Sequence, residues 1–412
     1  MALVLPFRAV RPRRQYASQV ASLPYDVMTR GEAQKAVGNE PLSFLHVEKS
    51  EIDVPANTRD NDPSIYEMAK QNFAQLQSKG IIFQDEFPGF YIYRQQMVAH
   101  VQTGIVGVFS AKEYDDGIIK KHELTRQDKE EDRINHVDKV NAQTGPVFIT
   151  YQSRPGLNAL VDRVTEGIPE YNFTAEDGVI HTVWLITDTQ NINEIRNEFS
   201  GVNALYIADG HHRAAAASYV ARARRRHDQT HGIQEYEKVL AVFFPHNQLR
   251  IMDYNRAVRD LNGLTPQTFK EKISSCFTIT SGSGVKAPRK FHDFGMYLQG
   301  EWYKLTIKEG VYDDRDPVAR LDAAILQEHL LAPILGIHNP RTDDRIKFIG
   351  GIRGMAELEK LVDQEGFAVA FSVYPTTIEQ VMGVADAGAV MPPKSTWFEP
   401  KLRSGIFVHK LS

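Results

Sequence analysis

Several things this chain lacks narrow what it can be. It carries one cysteine, Cys276, in 412 residues, so an intramolecular disulfide is excluded. Its neighbours, Ser275, Phe277 and Ile279, suggest an inert core position. No stretch approaches the roughly 20 consecutive apolar residues of a membrane helix. The opening apolar run is cut short by Arg8 and by Arg11, Arg13 and Arg14, too early for the apolar region of a signal peptide. The expectation is a soluble, cytoplasmic protein. A net charge of −4 gives no general reason to expect nucleic-acid binding. No internal repeat or low-complexity tract is visible. Ser281-Gly282-Ser283-Gly284 precedes Lys286 without the Walker spacing, and Gly350-Gly351-Ile352-Arg353-Gly354 misses the dinucleotide fingerprint. Both read as turns. What remains is an ordinary globular composition, 42% hydrophobic and 24% charged, long enough for two or three domains.

The stretch that organises the rest is residues 203–218. Residues 204–208 are apolar and read as a short buried strand; Asp209-Gly210 turns the chain, and an alanine-rich helix follows at once. The first N–H groups of such a helix have no partner inside it. Their partial positive charge favours an anion, and His211, His212 and Arg213 share that first turn. Arg213 offers a bidentate fork for phosphate or carboxylate. Gly210, without a Cβ, lets a ligand approach the backbone. Asp209 would also serve as a plain helix cap. Cations in the first turn oppose the helix dipole, however, and such local conflicts concentrate at functional sites. The reading is a phosphate cradle.

Three further segments carry chemistry. In Leu23-Pro24-Tyr25-Asp26-Val27 the proline fixes the backbone, and Asp26 stands at a turn or points into a site. Lys121-His122-Glu123-Leu124-Thr125-Arg126 places a base, a hydroxyl and cations directly before a helix over 128–141, whose own charges form a solvated face. In Met391-Pro392-Pro393-Lys394-Ser395-Thr396-Trp397-Phe398, two prolines hold an ammonium group and two hydroxyls ready without ordering cost. Arg256, just after an apolar strand at 251–256, suits either an anion or a salt bridge.

Elsewhere the pattern gives alternating helices and strands. Thr29 and Glu32 have capping-box spacing. Asp62-Pro63 opens a helix ended by Gly80, and residues 90–94 and 98–109 form a hairpin. Gly104 and Gly107 within it suggest bulges or close backbone approach. Strands follow at 147–151, 179–187 and 238–244. The arginines at 222 and 224–226 suit a helix C-terminus rather than an RNA-binding arm. His227 and His231 have i, i+4 spacing, but no third metal ligand is near. Thr265-Pro266 starts a helix, and the domain boundary is placed there, giving 1–264 and 265–412. The fold class is α+β, or mixed α/β.

Ala208-Asp209-Gly210-His211-His212-Arg213-Ala214 resembles the D-G-H-H-R signature of the ParB/sulfiredoxin superfamily, including its ParB-like serine kinases. The whole chain resembles the family catalogued as domain of unknown function ten-fifteen. That likeness is carried by residues 23–27, 122–126, by Asp253-Tyr254-Asn255-Arg256, and by 391–398. The superfamily resemblance implies a ParB-like nucleotide-binding core, elaborated by N-terminal strands and closed by the C-terminal part. Sulfiredoxins have a catalytic cysteine where this chain has His211, so their activity is not implied.

The resulting expectation is a nucleotide-dependent small-molecule kinase using ATP or ADP with Mg²⁺. Phosphoryl transfer needs phosphates held in line, charge neutralised and a base near the acceptor. Gly210, His211, His212, Arg213 and Arg126 would hold the nucleotide. Glu123, Asp209 and Lys394 form the catalytic set, with Glu123, Asp209 or Asp26 as base or Mg²⁺ ligand. Asp26, His122, Arg256, Ser395 and Thr396 would meet the substrate. The serine-kinase resemblance implies L-serine as acceptor. No nucleic acid or membrane partner is expected, and a homo-oligomer is left open. The alternatives are a non-catalytic nucleotide sensor or clamp, for which a basic domain is missing, and a phosphohydrolase, for which a metal-ligand cluster is missing.

Overall fold

The structure, a computed structural model, describes residues 2–38, 40–281 and 286–412. The expected Gly-rich turn at 281–284 thus falls largely outside the described residues. The chain divides into two compact units, one of residues 1–249 and 400–412, the other of residues 250–399. The division differs from the expected one at 264/265. The Thr265-Pro266 signal is real, since Thr265 caps the helix Pro266–Ile273, but it marks a helix start inside the second unit. The last 13 residues, moreover, belong to the first unit.

The first unit is built on a nine-stranded mixed sheet. Its strands are β1 (Val4–Leu5), β2 (Phe90–Met97), β3 (His100–Ser110), β4 (Ile119–Lys120), β5 (Val147–Tyr151), β6 (Tyr171–Thr174), β7 (Ile180–Ile186), β8 (Leu205–Asp209) and β9 (Lys238–Pro245). Their order is β4-β8-β5-β9-β3-β2-β7-β6, with β1 on β3. β8 runs parallel to β4 and antiparallel to β5. The hairpin expected at 90–109 is β2–β3, and its two glycines mark close approach rather than bulges. A Cβ on Gly104 would lie 2.7 Å from Val242, and one on Gly107 2.8 Å from Phe90, while the ladder runs through both in register.

Helices cover the sheet because their apolar faces repeat at helical spacing. The relevant ones are α1 (Arg30–Val37), α2 (Leu45–Glu48), α3 (Pro63–Ser78), α4 (Gln127–Val140) and α5 (His211–Arg225). The Thr29/Glu32 capping box is formed, and Asp62 caps α3 with Pro63 at its first position. α5 buries Ala214, Ala216 and Ala217, and Ala214 and Ala217 join the core cluster that includes Ile149, Ile207 and Phe243. Small side chains let this helix lie close to the strands. Its terminal arginines are paired within the unit: Arg222 with Asp115, Arg224 with Asp138 and Arg225 with Glu237. α5 ends at Arg225, so His227 and His231 share no helical face.

The second unit holds a six-stranded antiparallel sheet of β10 (Tyr254–Val258), β11 (Phe277–Ser281), β12 (Asp293–Leu298), β13 (Glu301–Ile307), β14 (Ile346–Gly350) and β15 (Val369–Ser372), ordered β11-β13-β12-β15-β10-β14. The strand expected at 251–256 is two pieces. Arg250–Met252 pairs with Trp397–Glu399, and β10 joins the larger sheet. No helix among the described residues is long and apolar enough to cross a membrane.

Candidate anion site at the start of helix α5

The strand–turn–helix predicted at 203–218 is formed. Opposite Phe148, β8 carries an irregularity between Ile207 and Asp209, and a bulge there re-aims the side chains that follow. Gly210 takes the left-handed conformation, φ 90° and ψ 29°, and is itself the N-cap residue. Asp209 is therefore not the cap. Its Oδ1 accepts the Gly210 N–H at 2.8 Å, and its Oδ2 accepts from Lys401 Nζ at 2.8 Å. Burial opposes ionisation of this carboxyl, but Lys401 and the Gly210 N–H prevail and hold it well below the usual carboxylate range. With no side chain capping α5, the helix start presents its N–H groups and their partial charge.

The conflict of cations at this helix start resolves in an unexpected way. His211 is only 4% exposed and His122 only 2%. Their rings meet edge to face with centroids 4.5 Å apart. Burial pushes the His122 imidazole down to about 4, and burial together with His122 drives His211 well below its ordinary value. Burial thus favours the neutral form of both rings. His122 faces the Ile207 backbone, but neither of its nitrogens closes a hydrogen bond of good geometry, and neither does Nε2 of His211. Glu123 approaches from the same loop, its Oε2 4.0 Å from His211 Nδ1. His212 Nε2 accepts the Arg126 N–H at 3.1 Å, which ties the 121–126 loop to the helix.

The two arginines expected to grip phosphate are engaged elsewhere. Arg126 forks onto Asp128 at the protein surface. Arg213 turns inward, donating to the Pro146 carbonyl at 3.1 Å, with Glu48 Oε2 at 3.8 Å. Gly145 makes room for it, since a Cβ there would lie 2.9 Å from the guanidinium carbon. Arg133 also approaches Glu48, at 3.7 Å, and Tyr25 lies against both guanidiniums, at 3.9 Å from Arg133 and 5.4 Å from Arg213. Asp26 is exposed, so it is Tyr25 of that motif that reaches inside.

In the second unit, Arg256 is 2% exposed and donates to the Tyr254 and Lys394 carbonyls. Lys394 has a left-handed backbone, φ 57°, and its Nζ lies 5.6 Å from the Tyr254 ring. Ser395 donates to the Pro392 carbonyl, and Thr396 is half-buried beside it. Arg256, Lys394 and Ser395 therefore do gather within that unit. Near them lies a carboxyl that the sequence did not mark. Burial pushes Asp322 up to about 7.

Sequence reasoning also missed Lys401 and Glu48. Lys401 had no signal beyond its nearness to the 391–398 segment, and Glu48 only an acidic residue in an apolar stretch. No group of three or more His, Cys, Asp or Glu side chains that could hold a metal occurs among the described residues, and Asp209 is already bonded to Lys401. The residues here do not form a Mg²⁺ site of their own.

The family model described as "Protein of unknown function (DUF1015)" matches residues 4–324. The chain belongs to that family. No curated protein matches this DUF1015 member. Solved structures similar to it include a conserved hypothetical protein from Pyrococcus furiosus, 13% identical over 73% of this chain and 93% of that one, with a TM-score of 0.37. They also include a free serine kinase in complex with AMP (13% identity, 74% and 92% covered, TM-score 0.38). A third is SbnI with C-terminal truncation from Staphylococcus aureus (10% identity, 73% and 85% covered, TM-score 0.39).

Proposed function

We propose that this DUF1015 protein binds the phosphates of ATP or ADP at the start of α5 and transfers a phosphoryl group to a small hydroxyl compound. The observation that carries the reading is the buried His122–His211 pair, whose ring nitrogens lack well-formed hydrogen bonds and lie at a helix start with no side-chain cap. Buried polar atoms without partners cost free energy, and a bound ligand with hydrogen-bonding oxygens would satisfy them. Backbone N–H groups following Gly210 hold the phosphates. Glu123, beside His211, is the base for the acceptor hydroxyl. Asp209, held by Lys401, fixes the turn. L-serine is the first acceptor to try, on the resemblance of the D-G-H-H-R turn to serine kinases. Mg²⁺ would arrive on the nucleotide.

The test is transfer from ATP and from ADP, with Mg²⁺, to L-serine and a panel of small alcohols. Glu123→Gln is the informative variant, because Arg213 is a structural tether whose loss would disturb folding. Acceptor-dependent turnover that falls roughly a hundredfold or more in Glu123→Gln, with nucleotide binding kept, supports the kinase. Nucleotide binding without transfer to any acceptor favours a sensor, and no nucleotide binding removes the cradle.

A further inference from the structure

His122 and His211 differ from ordinary buried histidines in what surrounds them. Beside the pair lie the Ile207 backbone and several charged or titratable side chains. From β8 comes Asp209, already bonded to Lys401 and the Gly210 N–H. From the loop after β4 come Lys121 and Glu123, the latter 4.0 Å from His211 Nδ1. From α5 come His212 and the positive end of the helix. Lys121 and the neighbouring imidazoles disfavour a proton on His211, and Asp209 favours one on either ring. The Asp209 charge is largely spent on Lys401, so the free pair stays neutral.

A neutral imidazole has one N–H, and a protonated one has two donors. A phosphate dianion needs donors and brings the charge that would offset a proton in this enclosed place. Resting on the phosphate-binding reading above, we propose that the His122–His211 pair takes up one proton from solvent when a phosphate-bearing ligand binds, and donates from the resulting imidazolium to a phosphate oxygen. The second ring remains neutral, because two cations 4.5 Å apart would repel. The site would then select its ligand by charge through a proton that is taken up only when the ligand binds.

The experiment is calorimetric titration of the full chain with ADP, in two buffers of different ionisation enthalpy. Mg²⁺ is added so that the nucleotide phosphates stay ionised. Near neutral pH the heats should differ between buffers by an amount corresponding to uptake of up to about one proton per site, and affinity should tighten by up to about tenfold per unit fall in pH. His122→Gln keeps an amide donor but cannot be protonated; it should bind with little or no uptake and a flat pH dependence. Nitrogen NMR of labelled histidine in the unaltered protein provides a reading independent of any variant, with an imidazolium signal appearing only with ADP. Binding with equal heats in both buffers and no imidazolium signal would overturn the proton proposal and leave the cradle standing. Uptake that persists in both His122→Gln and His211→Gln would place the proton elsewhere and overturn it too. Absence of ADP binding would sink the underlying reading as well.

Discussion

Mild acid should weaken the first unit and strengthen the second, and His181 is the clearest reason for the first effect. It lies in β7 with no exposed surface. Its Nδ1 is 2.7 Å from the Tyr93 hydroxyl, and its Nε2 accepts from Arg403 Nε at 3.2 Å. Arginine can only donate, so Nε2 carries no proton, and one added there would face the guanidinium. Burial and then Arg403 push this imidazole from 6.5 down to about 3. The folded value is below the unfolded one, so the contribution is complete above pH 6.5 and is lost as pH falls toward 3. At pH 5 the loss is about 2 kcal/mol. His122, pushed from 6.5 to about 4, loses a similar amount, about 2 kcal/mol. Together they remove about 4 kcal/mol of a stability that is on the order of 5–15 kcal/mol.

Asp322 acts the other way. Its folded value of about 7 exceeds the ordinary 3.8, so the second unit gains stability as pH falls from 7 to 5, by about 2 kcal/mol. Hydrogen exchange by mass spectrometry, corrected for the intrinsic rate at each pH, separates peptides of the two sheets. Protection of β2 and β7 should fall between pH 7 and 5 while that of β10 and β12 holds or rises. His181→Gln, which can still accept from Arg403 and donate to Tyr93, should flatten the slope of the first unit by about 2 kcal/mol. Equal protection of β7 at both pH values would refute the reasoning.

Three further outcomes follow from single sites. Gly210→Ala meets only ordinary contact with Val147, at 3.5 Å, so its cost is that of the left-handed backbone alone, about 1–2 kcal/mol in urea melts. Lys401→Met leaves Asp209, whose side chain is 36% exposed, without its counter-charge. A loss of about 1–2 kcal/mol is expected, recovered in large part by adding Asp209→Asn in a double-mutant cycle. Glu48→Gln removes a buried carboxylate that lies near both Arg133 and Arg213; Arg133 keeps Asp132, but Arg213 stays largely buried without that counter-charge. Denaturation should show about 3 kcal/mol of destabilisation, whereas a change below about 0.5 kcal/mol would show that the Glu48 charge does not stabilise these arginines.

What could be read from the sequence was local. The turn at Asp209-Gly210, the Thr29/Glu32 capping box and the Asp62-Pro63 helix start are each fixed by residues within one turn of each other, and all are formed. Long-range partners were not legible. Lys401 reaches Asp209 across 192 positions, and Arg403 reaches His181 across 222. Nothing near residue 400 announces that the chain has returned to the first unit. Charge was misleading for a related reason. His211 and Arg213 are basic on paper, yet packing makes one neutral and turns the other toward Glu48. Composition lists charges without saying which way they point.

The cost of that arrangement gives the last prediction. Ring nitrogens of His122 and His211 are buried without a well-formed hydrogen bond, and a buried unsatisfied group costs roughly 1–3 kcal/mol. A residue kept for stability alone would not be polar at such a place. An apolar side chain of similar volume removes the unsatisfied atoms without opening a cavity, and such exchanges are neutral or stabilising. His122→Leu should therefore hold or raise the stability of the free protein at pH 7, by up to about 2 kcal/mol, and abolish nucleotide binding. Both are read from the same thermal-shift titration, as the melting temperature without ADP and the shift on adding it. A variant that melts several degrees lower without ligand would mean that the imidazole is a structural part of the fold. The inference from unpaired nitrogens to a ligand would then fail at its first step.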